Sequence, residues 1–255
     1  MSTCPRNLNI LKNSCPDYMP SITENIKIIR ENIARACERA HRDIEEVKLV
    51  AVTKTATIEQ IEEAVAAGCA DLGENRVQHL KKVSDDVAHF LLENPKLPQS
   101  VTWHMIGHLQ RNKVKQVLGL ATLIHSVDTL RLAEEISMLS AKMSIKTKIL
   151  LEINAAEEVQ KYGIPIGAAI HLAEQIETLP NIELCGLMAM GPLTDDVDAI
   201  RLCFSRVHDL FVEMKGERAV GKSFRHISMG MSSDYEIAVE QGATILRIGS
   251  AIFNQ

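Results

Sequence analysis

The feature that most constrains this chain is a repeated alternation between two kinds of segment. Short apolar runs rich in Val, Ile and Leu recur at 47–53 (VKLVAVT), 69–73, 101–106 (VTWHMI), 121–126, 147–153 (TKILLEI), 182–188, 224–228 and 244–248. Between them lie longer stretches whose apolar residues return every three or four positions, the period of an amphipathic helix. A run apolar on both faces reads as a parallel strand covered by helices, and each intervening stretch is long enough for a right-handed crossover. Eight such units in about 230 residues match the size of a closed parallel barrel, with an open doubly wound sheet as the competing arrangement. Two features favour closure: the count of eight, and a leading helix at 21–40 that can cover the gap beside the last strand.

Local signals mark the helix ends. Ser21-Ile-Thr-Glu24 has the form of a capping box, and Ile22, Ile26, Ile29, Ile33, Ala36 and Ala40 follow on one face. Thr57-Ile-Glu-Gln60 opens a helix over 57–67 that Gly68 stops; others are expected at 129–141 after Asp128, at 166–178 after Pro165, and at 195–215. Residues 1–20 are polar, carry Pro5, Pro16 and Pro20, and show no periodicity, so they are expected to form a mobile extension. With no linker or change of composition after it, 21–255 reads as one domain.

Composition narrows the function classes. Lys and Arg total 28 against 33 Asp and Glu, and the net charge of −5 has the wrong sign for a broad grip on phosphate backbones. No nucleic-acid partner is expected. No run approaches the roughly 18 apolar residues of a membrane helix, and no secretory signal precedes the first helix, so the expected compartment is the cytoplasm. Six cysteines without CxxC spacing read as free thiols, and the one tight histidine pair, His104 and His108, lacks the neighbours a metal site needs. The absence of apolar stripes on the polar helix faces favours a monomer.

In a barrel of this kind, reactive groups stand at the C-terminal ends of strands. Lys54 ends the first run, where partial desolvation would yield a neutral amine able to form a Schiff base. On its own such a lysine most often snorkels into water. The seventh run leads into Ser228-Met-Gly230-Met-Ser232-Ser-Asp234, where Gly230 permits close backbone approach and Ser233-Asp-Tyr-Glu236 resembles a further capping box with free N–H groups. The eighth leads into Arg247-Ile-Gly249-Ser250, a second backbone-exposing turn. Phosphate sites frequently lie after strands seven and eight, and strand eight of a closed barrel adjoins strand one. A phosphate and an amine-reactive carbonyl belong together in one cofactor. Asn75 could bond a bound ring or cap the next helix; His104 could reach the mouth or fill the barrel interior.

Taken together, Val-Thr-Lys54, Gly-Glu-Asn75, Trp103-His-Met-Ile-Gly-His-Leu-Gln110, Gly186-Leu-Met-Ala-Met190, Ser228-Met-Gly-Met-Ser232 and Arg247-Ile-Gly-Ser250 resemble the pyridoxal phosphate homeostasis protein family (YggS/PROSC). The resemblance spans about residues 22 to 253. It implies a single (β/α)8 TIM barrel with an extra N-terminal helix, like the N-terminal domain of alanine racemase (PLP fold type III). It also implies pyridoxal 5'-phosphate (PLP) joined to Lys54 as an internal aldimine, Ser228, Ser232, Gly249 and Ser250 around the phosphate, and Arg247 near the ring or phosphate. Lys161 matches a lysine that relatives carry near the mouth and is a candidate second aldehyde acceptor. Arg76 departs from the aromatic that many relatives have there.

The resemblance implies a carrier in intracellular PLP homeostasis that passes cofactor to apo-enzymes. Arginine beside the ring nitrogen would weaken the cofactor as an electron sink, and with no second domain expected after Gln255, proton transfer on both faces of a substrate is hard to stage. Two alternatives stay open. One is a PLP-dependent racemase or lyase using His104 as base; the other is an aldolase-like barrel in which Lys54 attacks a sugar phosphate.

Overall fold

The computed structural model describes residues 20–97, 100–158, 162–217 and 219–254. Eight strands form a closed parallel barrel in chain order: β1 Lys48–Val52, β2 Asp71–Glu74, β3 Thr102–Met105, β4 Leu123–Val127, β5 Thr147–Ile153, β6 Ile182–Ala189, β7 His226–Ser228 and β8 Ile245–Ile248. Closure is made by β1 pairing with β8, from Lys48 opposite Ile245 to Ala51 opposite Ile248, which removes the open-sheet alternative. The expected runs all appear, displaced by one or two residues at several ends. Cys69 and Ala70, for example, belong to the turn before β2, where Cys69 N–H closes back on the Ala64 carbonyl.

The helices are α1 Ile22–Arg39, α2 Ile58–Ala66, α3 Val77–Glu93, α4 Val114–Val117, α5 Leu130–Lys142, α6 Ala169–Glu177, α7 Val197–Gly216, α8 Tyr235–Glu240 and α9 Ser250–Phe253. Capping boxes form at Ser21/Glu24 and Thr57/Gln60 as the sequence predicts. The third does not. Ser233 is not a cap; α8 starts after Asp234, which makes no side-chain cap bond and instead accepts from Met231 N–H. The cap of α5 is Thr129 rather than Asp128, and a short 3-10 turn at 166–168 precedes α6. None of the described helices is long and apolar enough to cross a membrane. All of the expected mobile extension except Pro20 lies outside the described residues, as do Lys161, Cys4 and Cys15. The four described cysteines are buried and form no disulfide among the described residues.

Strand alternation sorts side chains into two cores. Outward residues such as Leu72, Met105, Ile124, Leu187 and Leu246 pack under the helices. Inward residues Val50, Leu123, Leu150, Cys185, Met188 and Ile245 form a second, smaller cluster inside the barrel. Polar side chains share this inward face, among them Asp71, His104, His125, Glu152, Ser228 and Arg247. Helix α1 takes the place expected of it: Asn25 Nδ2 donates to the Ile252 carbonyl at 3.0 Å, Asn32 Nδ2 to the Tyr235 hydroxyl at 2.7 Å, and Arg39 pairs with Glu236 and Glu240. It thereby clamps α8 and α9, the elements that carry the turns after β7 and β8.

Candidate functional site

Lys54 stands two residues beyond β1, exposed, with no ion pair or hydrogen bond to the described residues. The desolvation expected of it is therefore absent. Its neighbour Thr53 is fully buried and tied to β2: its N–H donates to the Gly73 carbonyl at 3.0 Å and its hydroxyl donates to Glu74 Oε1. Glu74, buried in turn, has His79 Nδ1 of α3 at 3.0 Å. The base of the lysine is thus anchored while its amine is left in water.

The two turns come together beside it. Gly249 lies against the end of β1, where a Cβ would sit 3.1 Å from the Val52 carbonyl oxygen. Gly230 adopts φ +94°, and a Cβ there would meet that of Ala238 at 2.5 Å. Arg247 N–H donates to the Gly230 carbonyl at 3.0 Å, and Ala251 N–H donates to Ser232 Oγ at 3.1 Å, stitching the turns to one another. The N–H groups of Ser232, Ser233, Gly249 and Ser250 make no backbone hydrogen bond with the described residues. With the Ser232 and Ser250 hydroxyls, they form a neutral donor set of the kind that suits a phosphate. Helices α8 and α9 are too short to add much dipole, so separate N–H and O–H donors carry that fit.

Other expected residues are distributed differently. Asn75 is partly exposed at the end of β2, against Gly107, where a Cβ would approach the Asn75 carbonyl oxygen to 2.3 Å; Arg76, not Asn75, is the cap of α3. His104 and Ser228 do not reach the mouth. Both are buried inside the barrel, His104 between Asp71 and His125, Ser228 between His125 and Arg247. Arg247 is buried as well, donating through Nη1 to Ser228 Oγ at 2.6 Å and through Nη2 to the Ala189 carbonyl at 2.9 Å. Burial pulls its pKa down to about 10, against the attraction of Glu152 and Asp234.

Sequence reasoning missed Glu152. It points inward from β5, 3% exposed, with Oε2 unpaired among the described residues. Burial and the charge of Asp128 push its carboxyl up to about 7, although Arg247 pulls the other way. One acidic residue directly after the apolar Ile149-Leu-Leu151 stretch was the available signal. A cavity of about 620 Å3 also opens beside the mouth, with Gln110, Arg111, Arg131 and Tyr162 among its walls; Lys54 is not among its lining residues. His108 stacks on Tyr162 there, ring centroids 4.1 Å apart.

The model of the family described as "Alanine racemase, N-terminal domain" matches residues 25–255. The pyridoxal phosphate homeostasis protein of Aquifex aeolicus is 38% identical over 232 residues, 91% of this chain and 97% of that one. Among solved structures, a protein of unknown function from Bifidobacterium adolescentis superposes with a TM-score of 0.86 at 35% identity, covering 95% of this chain and all of that one. PipY of Synechococcus elongatus, solved with PLP bound, has a TM-score of 0.74 at 28% identity, covering 92% of this chain and all of its own. The chain therefore belongs to the family of the alanine racemase N-terminal domain and, within it, to the pyridoxal phosphate homeostasis proteins.

Proposed function

We propose that this chain holds PLP through a Schiff base on Lys54 and acts in PLP homeostasis and delivery, without robust turnover of its own. The observation that carries the reading is an exposed amine just beyond β1, unpaired among the described residues, beside two turns whose N–H groups at 232, 233, 249 and 250 make no backbone hydrogen bond with those residues. When bound, PLP supplies an aldehyde that an amine can capture reversibly. Ser232, Gly249 and Ser250 would hold the phosphate by hydrogen bonds, and Asn75 would be available to bond the ring. Arg247, held by Ser228 and by the Ala189 carbonyl at the end of β6, keeps a buried positive charge below the mouth. A guanidinium there opposes protonation of a ring nitrogen and weakens the electron sink that turnover needs. Exposure of Lys54 suits exchange: a carrier must release what it captures, and water has direct access to this amine.

The names of the homologous proteins and the PLP bound by PipY support the ligand; recipient apo-enzymes, a cytoplasmic location and a monomeric state belong to the same proposal. The test is spectroscopic. Protein mixed with PLP is expected to show a near-ultraviolet to blue absorbance band. Borohydride should abolish the band and leave a mass increment on the Lys54 peptide, and Lys54→Ala should lose at least nine-tenths of that adduct. Full trapping in Lys54→Ala would assign the wrong amine, and a colourless mixture would overturn the ligand. Racemisation, transamination or decarboxylation of a common amino acid above the rate of free PLP would replace the carrier reading with the racemase or lyase alternative.

A further inference from the structure

One file of polar groups runs through the barrel from its N-terminal end to the mouth. Lys48 Nζ donates to Asp71 Oδ1 at 2.9 Å; His104 Nε2 lies 3.0 Å from the same oxygen; His104 Nδ1 lies 2.9 Å from His125 Nε2; His125 Nδ1 lies 2.9 Å from Ser228 Oγ; and Arg247 Nη1 donates to that oxygen at 2.6 Å. The three middle members are buried at 2%, 0% and 0% exposure. None of the site chemistry above uses His104 or His125.

The two ends have fixed polarity. A carboxylate can only accept and a guanidinium can only donate. Between them, three links must be filled, and two neutral imidazoles and one hydroxyl supply three protons. One arrangement satisfies every group: Ser228 O–H to His125 Nδ1, His125 Nε2–H to His104 Nδ1, and His104 Nε2–H to Asp71. A fourth proton, placed on either ring, reverses the His125–Ser228 link. The Ser228 hydroxyl hydrogen then has no acceptor among the described residues, in a fully buried position where such a loss is costly.

We propose that Ser228, His125 and His104 are positioning residues: a one-directional hydrogen-bond chain, anchored on Asp71, turns the Ser228 lone pairs toward Arg247 and holds its guanidinium below the mouth. This rests on the reading of the mouth as the PLP site and deepens it. Two features agree with this geometry. Burial, helped by the positive charge of Arg247, holds His125 well below the usual histidine range, which keeps it neutral. Hydrogen bonds from His104 and Lys48 outweigh the burial of Asp71 and keep its carboxyl below the usual value, so the anchor stays anionic. The same arrangement spends the Ser228 proton inside the barrel, which removes that hydroxyl as a donor to phosphate.

The decisive measurement needs neither cofactor nor variant. Long-range proton–nitrogen correlation spectra of 15N-histidine protein at pH 7.5, assigned through bonds from the backbone, are expected to show both His104 and His125 neutral with Nε2 protonated. A proton on His125 Nδ1, or an imidazolium at either position, overturns the proposal. A second arm reads the coupling to the site. Glutamine presents an acceptor oxygen and a donor nitrogen, the two functions that a neutral imidazole supplies, so His125→Gln should keep PLP affinity within about twofold of the wild type. His125→Leu fills the space without either function and should bind PLP about tenfold more weakly, with an altered pH profile of the bound-cofactor band. Equal binding and equal band profiles in the two variants would leave the chain structural only. If wild-type protein takes up no PLP, the carrier reading fails while the tautomers still decide the hydrogen-bond order.

Discussion

At Glu152, a carboxyl is held inside the barrel with one oxygen unpaired among the described residues, and its pKa rises from an ordinary 4.5 to about 7. Between those two pH values the folded chain keeps a proton that the unfolded chain has released. Stability therefore falls as pH rises through that window, by up to ~3 kcal/mol, and stays lowered above it. Glu152→Gln should recover that loss at pH 8 and bring nothing at pH 4, as read from urea unfolding across the range. An equal gain at both ends would show that the carboxyl titrates normally. Lys54 was legible from the sequence because it ends an apolar run. Glu152, His125 and Asp71 were not, because each sits within or beside such a run, where a polar residue carries meaning only once its inward direction is known.

Elements show the same division. Capping boxes at Ser21 and Thr57 are local hydrogen-bond devices and form as written. Ser21→Ala should cost about 1 kcal/mol in chemical denaturation, since the hydroxyl accepts from Glu24 N–H and its loss unbinds one end of α1. Ser233 and Glu236 carry the same local pattern and fail, because the backbone after Gly230 turns so that Asp234 closes on Met231. Gly230 makes that turn possible. Gly230→Ala, at φ +94° with Ala238 in the way, should destabilise by about 1–3 kcal/mol and weaken PLP binding through displacement of the 230–234 turn. Gly167→Ala is the control: nothing lies within 4 Å of a Cβ there, and its unfolding midpoint should be unchanged or slightly raised. Similar losses at the two positions would remove the steric argument.

For the whole molecule, closure couples the first strand to the last, and α1 bridges to α8 and α9 across more than 190 residues of sequence. No strand can leave without opening the barrel. Trp103, the single tryptophan, is 6% exposed on β3, where its fluorescence reports the barrel, whereas far-ultraviolet circular dichroism is dominated by the helices. The two signals should follow one coincident urea transition. Separation of their midpoints would mean that helices melt from an intact barrel, against the shared core.

What the sequence determined by itself was the alternation of strand and helix, the count of eight, and the helix ends set by neighbouring residues. All of these rest on periodicity or on hydrogen bonds within a few positions, which a linear reading contains. What only the tertiary structure decided was which inward polar groups meet. His104 reaches Asp71 across 33 positions and His125 reaches Ser228 across 103, and both pairings depend on the register and curvature of the closed sheet. Those are properties of eight strands packed together, so no single segment specifies them.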